Sequence, residues 1–450
     1  MIKLAFFYTT FTIIIAIGLL IRNFVKIRKL QDKRGADGVP REGTVEMYVL
    51  ASEIRSGSRM FIKTEYVTIV PVVFIVALFL TIFVEKMAAL PFLLGAIMGT
   101  LSCLVGMEAA VYANVRTAAK ADKTRSLVWT MKVAMLGGSN SGLAAHGFGL
   151  LGFEIILAIL LFGNVPTHGA GLVGSATIDT FSTWLMACSV GFSLIAMFNR
   201  VAGGNFTKAA DISADILAKI DLKDMEEDDS RNPCVLADFV GDNVNDIAGN
   251  TSDLSESFVA TLVSCVVSAV RNLSATPGME EAGITFTLAI AASGLLGSII
   301  GIGFVSFQKM RKERGSYELT DAALGKISPE KRLDLVTNFA AGFVIIASLV
   351  FSWLLFGNKE LPTSFTAGWL SPCLAAGCGI LSGIAIGKLT EYYTSTEHAP
   401  VQRVAKSSIL GAAHNIIRGW ALGSRSCMWP ITIIVASLLI SYGVAGQYGI

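Results

Sequence analysis

Apolar runs of about 20 residues, long enough to cross roughly 30 Å of hydrocarbon, recur ten times along the chain. They fall near residues 4–22, 66–84, 88–112, 131–163, 178–200, 240–270, 282–307, 334–356, 368–388 and 407–445. The pattern predicts an all-α fold, a polytopic transmembrane bundle of about ten helices, some long enough to tilt or project beyond the bilayer. Composition agrees, with 53% hydrophobic and 16% charged residues among 450. The first run is long, is closed by a basic segment and is followed by no A-x-A-like site, so it reads as a retained helix and not as a signal peptide. No Pro/Ser-rich linker interrupts the sequence, and 1–450 reads as a single membrane-embedded domain with residues 308–333 as a loop.

A net charge of +2 gives no reason to expect nucleic acid as a partner, but the placement of the basic residues sets an orientation. Arg22, Lys26, Arg28, Lys29, Lys33 and Arg34 follow the first run and should be cytoplasmic. Alternation then places the loops with Arg116 to Arg125 and with Lys309 to Arg332 inside as well. The loop GNVPTHGAGLVGSATIDT, nearly free of basic residues, falls outside. Ten crossings put both ends of the chain on the non-cytoplasmic side and residues 205–237 in the cytoplasm. The expected location is a bacterial plasma membrane, or an acidic organelle membrane in a eukaryote. The seven cysteines lie mostly in apolar runs without a C-x-x-C pair, and read as small buried hydrophobes.

Acidic residues change the picture. Residues 211–256 hold 13 of the 34 acids, and the row runs directly into an apolar segment. At about 100° per residue, Asp238, Asp242, Asp246, Asp253 and Glu256 share one stripe of about 80°, about 27 Å long. In RVAGGNFTKAADISADILAK, Arg200, Lys208, Asp211, Asp215 and Lys219 likewise share a face of about 100°. Surface pairing along one helix would account for either face alone. Two consecutive helices with aligned charges suggest a pocket, since ionisable groups inside a bundle normally line a cavity or an ion path. Asp211, Asp215, Asp238, Asp242 and Asp246 outnumber Lys208 and Lys219, so cations must sit among them. Oxygen-only ligation suits Mg²⁺ or Ca²⁺, and Mg²⁺ commonly joins carboxylates to phosphates while Lys meets the remaining phosphate charge. These residues point to Mg²⁺–phosphate chemistry at the cytoplasmic mouth of the bundle. GDNVND is close to a magnesium motif of P-type ATPases, but neither a phosphorylatable DKTGT nor a large nucleotide domain accompanies it. No G-x-x-x-x-G-K-[ST] loop is present either.

The same segments, RVAGGNFTKAADISADILAK and EDDSRNPCVLADFVGDNVNDIAG, resemble the long acidic motifs of the membrane-integral pyrophosphatases, pyrophosphate-driven H⁺ and Na⁺ pumps. ANVRTA (113–118), TEYYTS (390–395) and PVQRVAKSSILGAAHNII (400–417) are further matches, and all run in family order along the chain. The resemblance implies an ion-translocating inorganic diphosphatase, with residues 200–256 carrying the substrate, Mg²⁺ and ion-gate helices. It implies Lys208 and Lys219 as pyrophosphate ligands, and Asp211, Asp215 and Asp242 as Mg²⁺ ligands supported by Asp238 and Glu227. Asp246 would be one of two catalytic aspartates that hold and deprotonate the attacking water, and Arg200, Asp253 and Glu256 would form the gate. Mg²⁺ is the implied cofactor, with K⁺ as a further candidate. Expected partners are pyrophosphate, H⁺ or Na⁺, the lipid bilayer and a second copy in a homodimer. DLSESFVA is slightly closer to the sodium type.

The sequence departs from the family pattern at Phe239, Asn245, Ser230, Asn250 and Thr251, and through His414, Arg418 and Arg425 near its end. It resembles the first ten of the family's sixteen helices. The expectation is that these 450 residues alone neither hydrolyse pyrophosphate nor pump, being a fragment, a split product needing a separate C-terminal half, or a degenerate homologue. A non-enzymatic secondary cation transporter is the alternative from another functional class.

Overall fold

The computed structural model describes residues 2–31, 43–125, 127–163, 172–173, 176–222, 225–226, 229, 231–307 and 329–450. Among these, ten helical segments are long and apolar enough to cross a membrane, the number expected from the apolar runs. Many extend well past the apolar stretch. The segment Ile178–Asp221 has 44 residues, roughly 66 Å at 1.5 Å per residue, so its polar end projects beyond the hydrocarbon.

Two compact units emerge. The larger comprises Ile2–Val267 with Thr287–Ala340. It contains α1 (Ile2–Gln31), α2 (Val45–Phe83), α3 (Ala89–Thr124), α4 (Leu127–Phe162), α5 (Ile178–Ile216) and α6 (Pro233–Asp242), and most of α7 (Asn250–Leu273). Thr44 caps α2 by accepting from the Met47 N–H, and Thr177 caps α5 by accepting from the Thr180 N–H, satisfying amides left without partners in a first helical turn. Before α5, the short strands β1 (Leu172–Val173) and β2 (Ala176–Thr177) pair antiparallel, which the apolar pattern did not indicate. Helix α3 packs along α4, α5 and α2, and α1 lies along α4. One core, of Ile69, Val73, Phe92, Ala96, Ala187 and Ile195, joins α2, α3 and α5. There α3 and α5 touch backbone to backbone: a β-carbon at Gly95 would strike the Cys188 carbonyl, and one at Gly191 the Phe92 carbonyl. Small residues permit such an approach where lipid offers no hydrophobic drive for helix association.

The smaller unit comprises Ser268–Phe286 and Ala341–Ile450. It takes in the ends of α7, α8 (Met279–Phe307) and α9 (Pro329–Phe356), then α10 (Ser371–Thr394), α11 (Ala399–Ser407) and α12 (Ala412–Gly449). Phe286, Phe356, Phe365 and Tyr448 form an aromatic chain, and the Tyr448 hydroxyl donates to the Gly283 carbonyl. Gly446, at φ 62°, breaks α12 near its end. Along α12, Trp420, Ile416, Ile417 and Leu439 stand exposed.

Candidate functional site

The charged row of α5 continues into a π-helical turn, Leu217–Asp221, before the chain crosses to α6. Asn232 makes that crossing definite. Its side-chain oxygen accepts from the Cys234 N–H (3.0 Å) at the start of α6, and its amide donates to the Ala214 carbonyl (2.9 Å) near the end of α5. Pro233 occupies the first helical turn, where a missing N–H costs nothing. In the connecting segment Arg231 holds Asp229 through a 2.6 Å ion pair, which lowers the Asp229 carboxyl to about 2. Its charge is therefore constant throughout the neutral range. Asn232→Ala is expected to remove both the cap and the tie, costing about 1–2 kcal/mol. A thermal melt of the purified protein should show a lower Tm, and an unchanged Tm would deny Asn232 this role.

Packing of α5 against α6 rests on two glycines. A β-carbon at Gly241 would stand 2.8 Å from Thr207 Cα, and one at Gly203 would stand 3.1 Å from the Val244 carbonyl oxygen. This close seam brings the two charged faces together. Lys208 interacts electrostatically with Asp238 and Asp246 on the facing segment, while its Nζ lies 2.7 Å from Asp211 on its own helix. Lys219 Nζ lies 2.6 Å from Asp215. Lys208, Asp215, Lys219, Asp242 and Asp246 are all exposed, and Asp211 and Asp238 are partly so. Such pairs along one helix contribute only tenths of a kcal/mol in water, so the lysines are not locked in place by them.

Between α6 and α7 the helix widens into a second π-helical segment, Asn243–Gly249. This alters the stripe expected from uniform 100° steps. A switch from i+4 to i+5 hydrogen bonding inserts about one residue, which turns everything beyond it by about 100°. Asp238 and Asp242 precede the insertion, Asp246 lies inside it, and Asp253 and Glu256 follow it. The row therefore splits into two groups.

The group beyond the insertion meets α5 at a different level. Arg200 Nε lies 3.4 Å from Asp253 Oδ2, and Ser193 donates to Glu256 Oε1 at 2.7 Å. Arg200 also donates to the Asn250 side-chain oxygen (2.8 Å), the Asn245 side-chain oxygen (3.3 Å) and the Asn245 carbonyl (3.4 Å). The reading of the sequence placed Arg200, Asp253 and Glu256 near one another but missed the two asparagines, which registered only as departures from a motif. Amides in place of two motif glycines, on the segment facing an arginine, were the available signal.

Five of the acids proposed for the phosphate end, Asp211, Asp215, Asp238, Asp242 and Asp246, are described, whereas Glu227 lies outside the described residues. Their all-carboxylate chemistry fits Mg²⁺. As the side chains stand, no three or more His, Cys, Asp or Glu among the described residues converge closely enough to hold a metal.

Ten helices among the described residues that are long and apolar enough to cross a membrane define a multi-pass integral membrane protein, in which Arg200 of α5 pairs with Asp253 of α7. The family model described as inorganic H⁺ pyrophosphatase matches residues 16–450, and the chain belongs to that family. It is 35% identical over 437 residues to the K⁺-stimulated pyrophosphate-energized sodium pump of Thermotoga maritima, covering 91% of this chain and 57% of that protein. It is 30% identical over 471 residues to the K⁺-insensitive pyrophosphate-energized proton pump of Caldanaerobacter subterraneus subsp. tengcongensis, covering 99% of this chain and 61% of that protein. To the K⁺-insensitive pyrophosphate-energized proton pump 2 of Moorella thermoacetica it is 32% identical, over 91% of this chain and 54% of that one. The chain thus spans little more than half the length of these relatives.

Proposed function

We propose that residues 200–256 form the substrate-binding and gating part of a pyrophosphate-energised cation pump, which couples Mg²⁺-dependent hydrolysis of inorganic pyrophosphate to export of H⁺ or Na⁺. The observation that carries this reading is the seam of α5 with α6, where Lys208 faces Asp238 and Asp246 at the projecting end of the bundle. A carrier of bare cations has no use for lysines at the mouth of its path. A polyphosphate needs them to meet oxygen charge that metal leaves uncompensated.

In this reading Lys208 and Lys219 release their helix partners and turn to pyrophosphate. Asp211, Asp215, Asp238 and Asp242, with Glu227 in support, would hold Mg²⁺, which neutralises phosphate oxygens when bound. Asp246 accepts the proton of the attacking water, and phosphate leaves without a phosphoenzyme. One level below, Arg200 and Asp253 part or pair as the seam shifts, and Glu256 carries the passing cation. K⁺ is a candidate activator, since one relative is named K⁺-stimulated and another K⁺-insensitive. The proposed setting is one membrane-embedded domain acting as a homodimer, with both ends of this chain on the non-cytoplasmic side.

The Lys208→Gln/Lys219→Gln variant separates this proposal from secondary cation transport. In native membranes, Mg-pyrophosphate should protect the wild-type chain from trypsin, and the double variant should lose that protection. Equal protection of both would favour the carrier.

A further inference from the structure

One buried carboxyl takes no part in the site described so far. Glu65, midway along α2, is nine-tenths buried. Neither of its oxygens is accessible to solvent, and neither has a hydrogen-bond partner. Around it lies a small polar group enclosed by three helices. The Tyr66 hydroxyl turns toward Thr100 on α3 and Asn199 on α5, and Cys103 on α3 interacts with both Tyr66 and Glu65. The Tyr66 hydroxyl and both polar atoms of the fully buried Asn199 side chain also lack partners of hydrogen-bonding geometry.

Position makes the group more than a packing defect. Asn199 immediately precedes Arg200 on α5. Tyr66 packs against the core formed by Cys103, Met107, Val244 and Ala248, the last two being residues of the π-helical segment Asn243–Gly249. The pocket thus borders both elements that set the Arg200–Asp253 level. The titratable groups that interact with Glu65 among the described residues are Tyr66 and Cys103, both neutral at ordinary pH.

An ionised carboxylate withdrawn from water, with neither donor nor cation beside it, is strongly disfavoured. Tyr66 and Asn199 could each offer a donor, yet neither closes on it. Because the oxygens are already enclosed by the chain's own helices, any compensating charge has to be as small as a proton or a bare ion. We propose that Glu65 is a proton-holding site: its carboxyl is a neutral acid in this conformation, in a polar group with Asn199, the residue before Arg200, and with Tyr66, which packs against the π-helical segment. A shift of α5 or of that segment would bring Tyr66 and Asn199 within bonding distance of Glu65, stabilise the carboxylate and release the proton.

Infrared spectroscopy on the membrane-inserted protein tests this without reference to hydrolysis, so its outcome is independent of the pump reading. At neutral pH the wild type should show a carbonyl stretch of a protonated carboxylic acid, shifted in D₂O. Glu65→Gln should lose that band, and Glu65→Asp should move it. Persistence of the band in Glu65→Gln, or its absence from the wild type, would overturn the proposal. A second measurement needs no variant. A hydrophobic carbodiimide takes the acid proton onto nitrogen and the carboxyl oxygen onto carbon, then rearranges to a stable N-acylurea. Mass spectrometry of the peptide containing Glu65 should find this adduct in the wild type. No adduct, or complete protection by Na⁺ relative to choline, would show a carboxylate or a sodium ligand and reject the proton.

Discussion

In an assembled enzyme of the proposed function, Asp246→Asn is expected to lower pyrophosphate hydrolysis by about 10²- to 10⁴-fold, the usual contribution of a positioned general base, while Mg-pyrophosphate protection against trypsin stays near the wild-type level. Asp246 is exposed within the π-helical segment, and its Oδ1 accepts from the Asn245 side-chain amide at 2.9 Å. That bond orients the carboxylate and leaves the other oxygen available to a water. Asparagine preserves size and can still accept hydrogen bonds, but it cannot take a proton. Because Lys208 sits close enough to sense the Asp246 charge, neutralisation should not weaken binding and could tighten it slightly. Phosphate release from native membranes is the measurement. A variant that hydrolyses at the wild-type rate would remove Asp246 from the role of base, whatever the rest of the site does.

The helices were legible in the sequence because each apolar run is close to or longer than the roughly 30 Å needed to cross the hydrocarbon, a signal that survives any error in rotation or boundary. Lys208 with Asp211 and Lys219 with Asp215 were legible from helical spacing, and the nearness of Arg200 to Asp253 from the family resemblance. What constant periodicity could not reveal was the insertion at Asn243–Gly249. A π-helical turn is a choice of hydrogen-bond partner made by the backbone, and GDNVNDIAG carries no residue that dictates it. Its consequence is large, because it separates Asp238 and Asp242 from Asp253 and Glu256 by rotation as well as by height. Asn245 and Asn250 were visible only as mismatches to a pattern, yet they are the residues that receive the Arg200 guanidinium. Glu65 was invisible for a simpler reason. In KTEYVT it stands at the edge of an apolar run, where a solvated glutamate is ordinary, and only the packing of α3 and α5 around it encloses its oxygens.

Gly241→Ala should damage activity more than stability. Alanine normally favours a helix over glycine by up to about 1 kcal/mol, so the substitution would be stabilising if the site had room. It does not. The new β-carbon would lie 2.8 Å from Thr207 Cα and 2.9 Å from Thr207 Oγ1. Backbone cannot rotate aside as a flexible side chain can, so α5 and α6 have to separate. Overpacking of this kind costs about 1–3 kcal/mol, partly offset by the gain in propensity, and the protein should still insert and fold with a modestly lower Tm. Function is more exposed to the shift, because Thr207 adjoins Lys208 and Gly241 adjoins Asp242. Moving the two faces apart by even 1 Å displaces the lysine and the aspartates that the proposed chemistry needs together, and misplacement on that scale can cost about 10²-fold in rate. Gly138→Ala in α4 is the control, since nothing stands within 4 Å of a β-carbon there; its Tm should rise slightly and its activity should not change. Equal hydrolysis in the two variants would mean that the close seam at Gly241 does not set the spacing of the site.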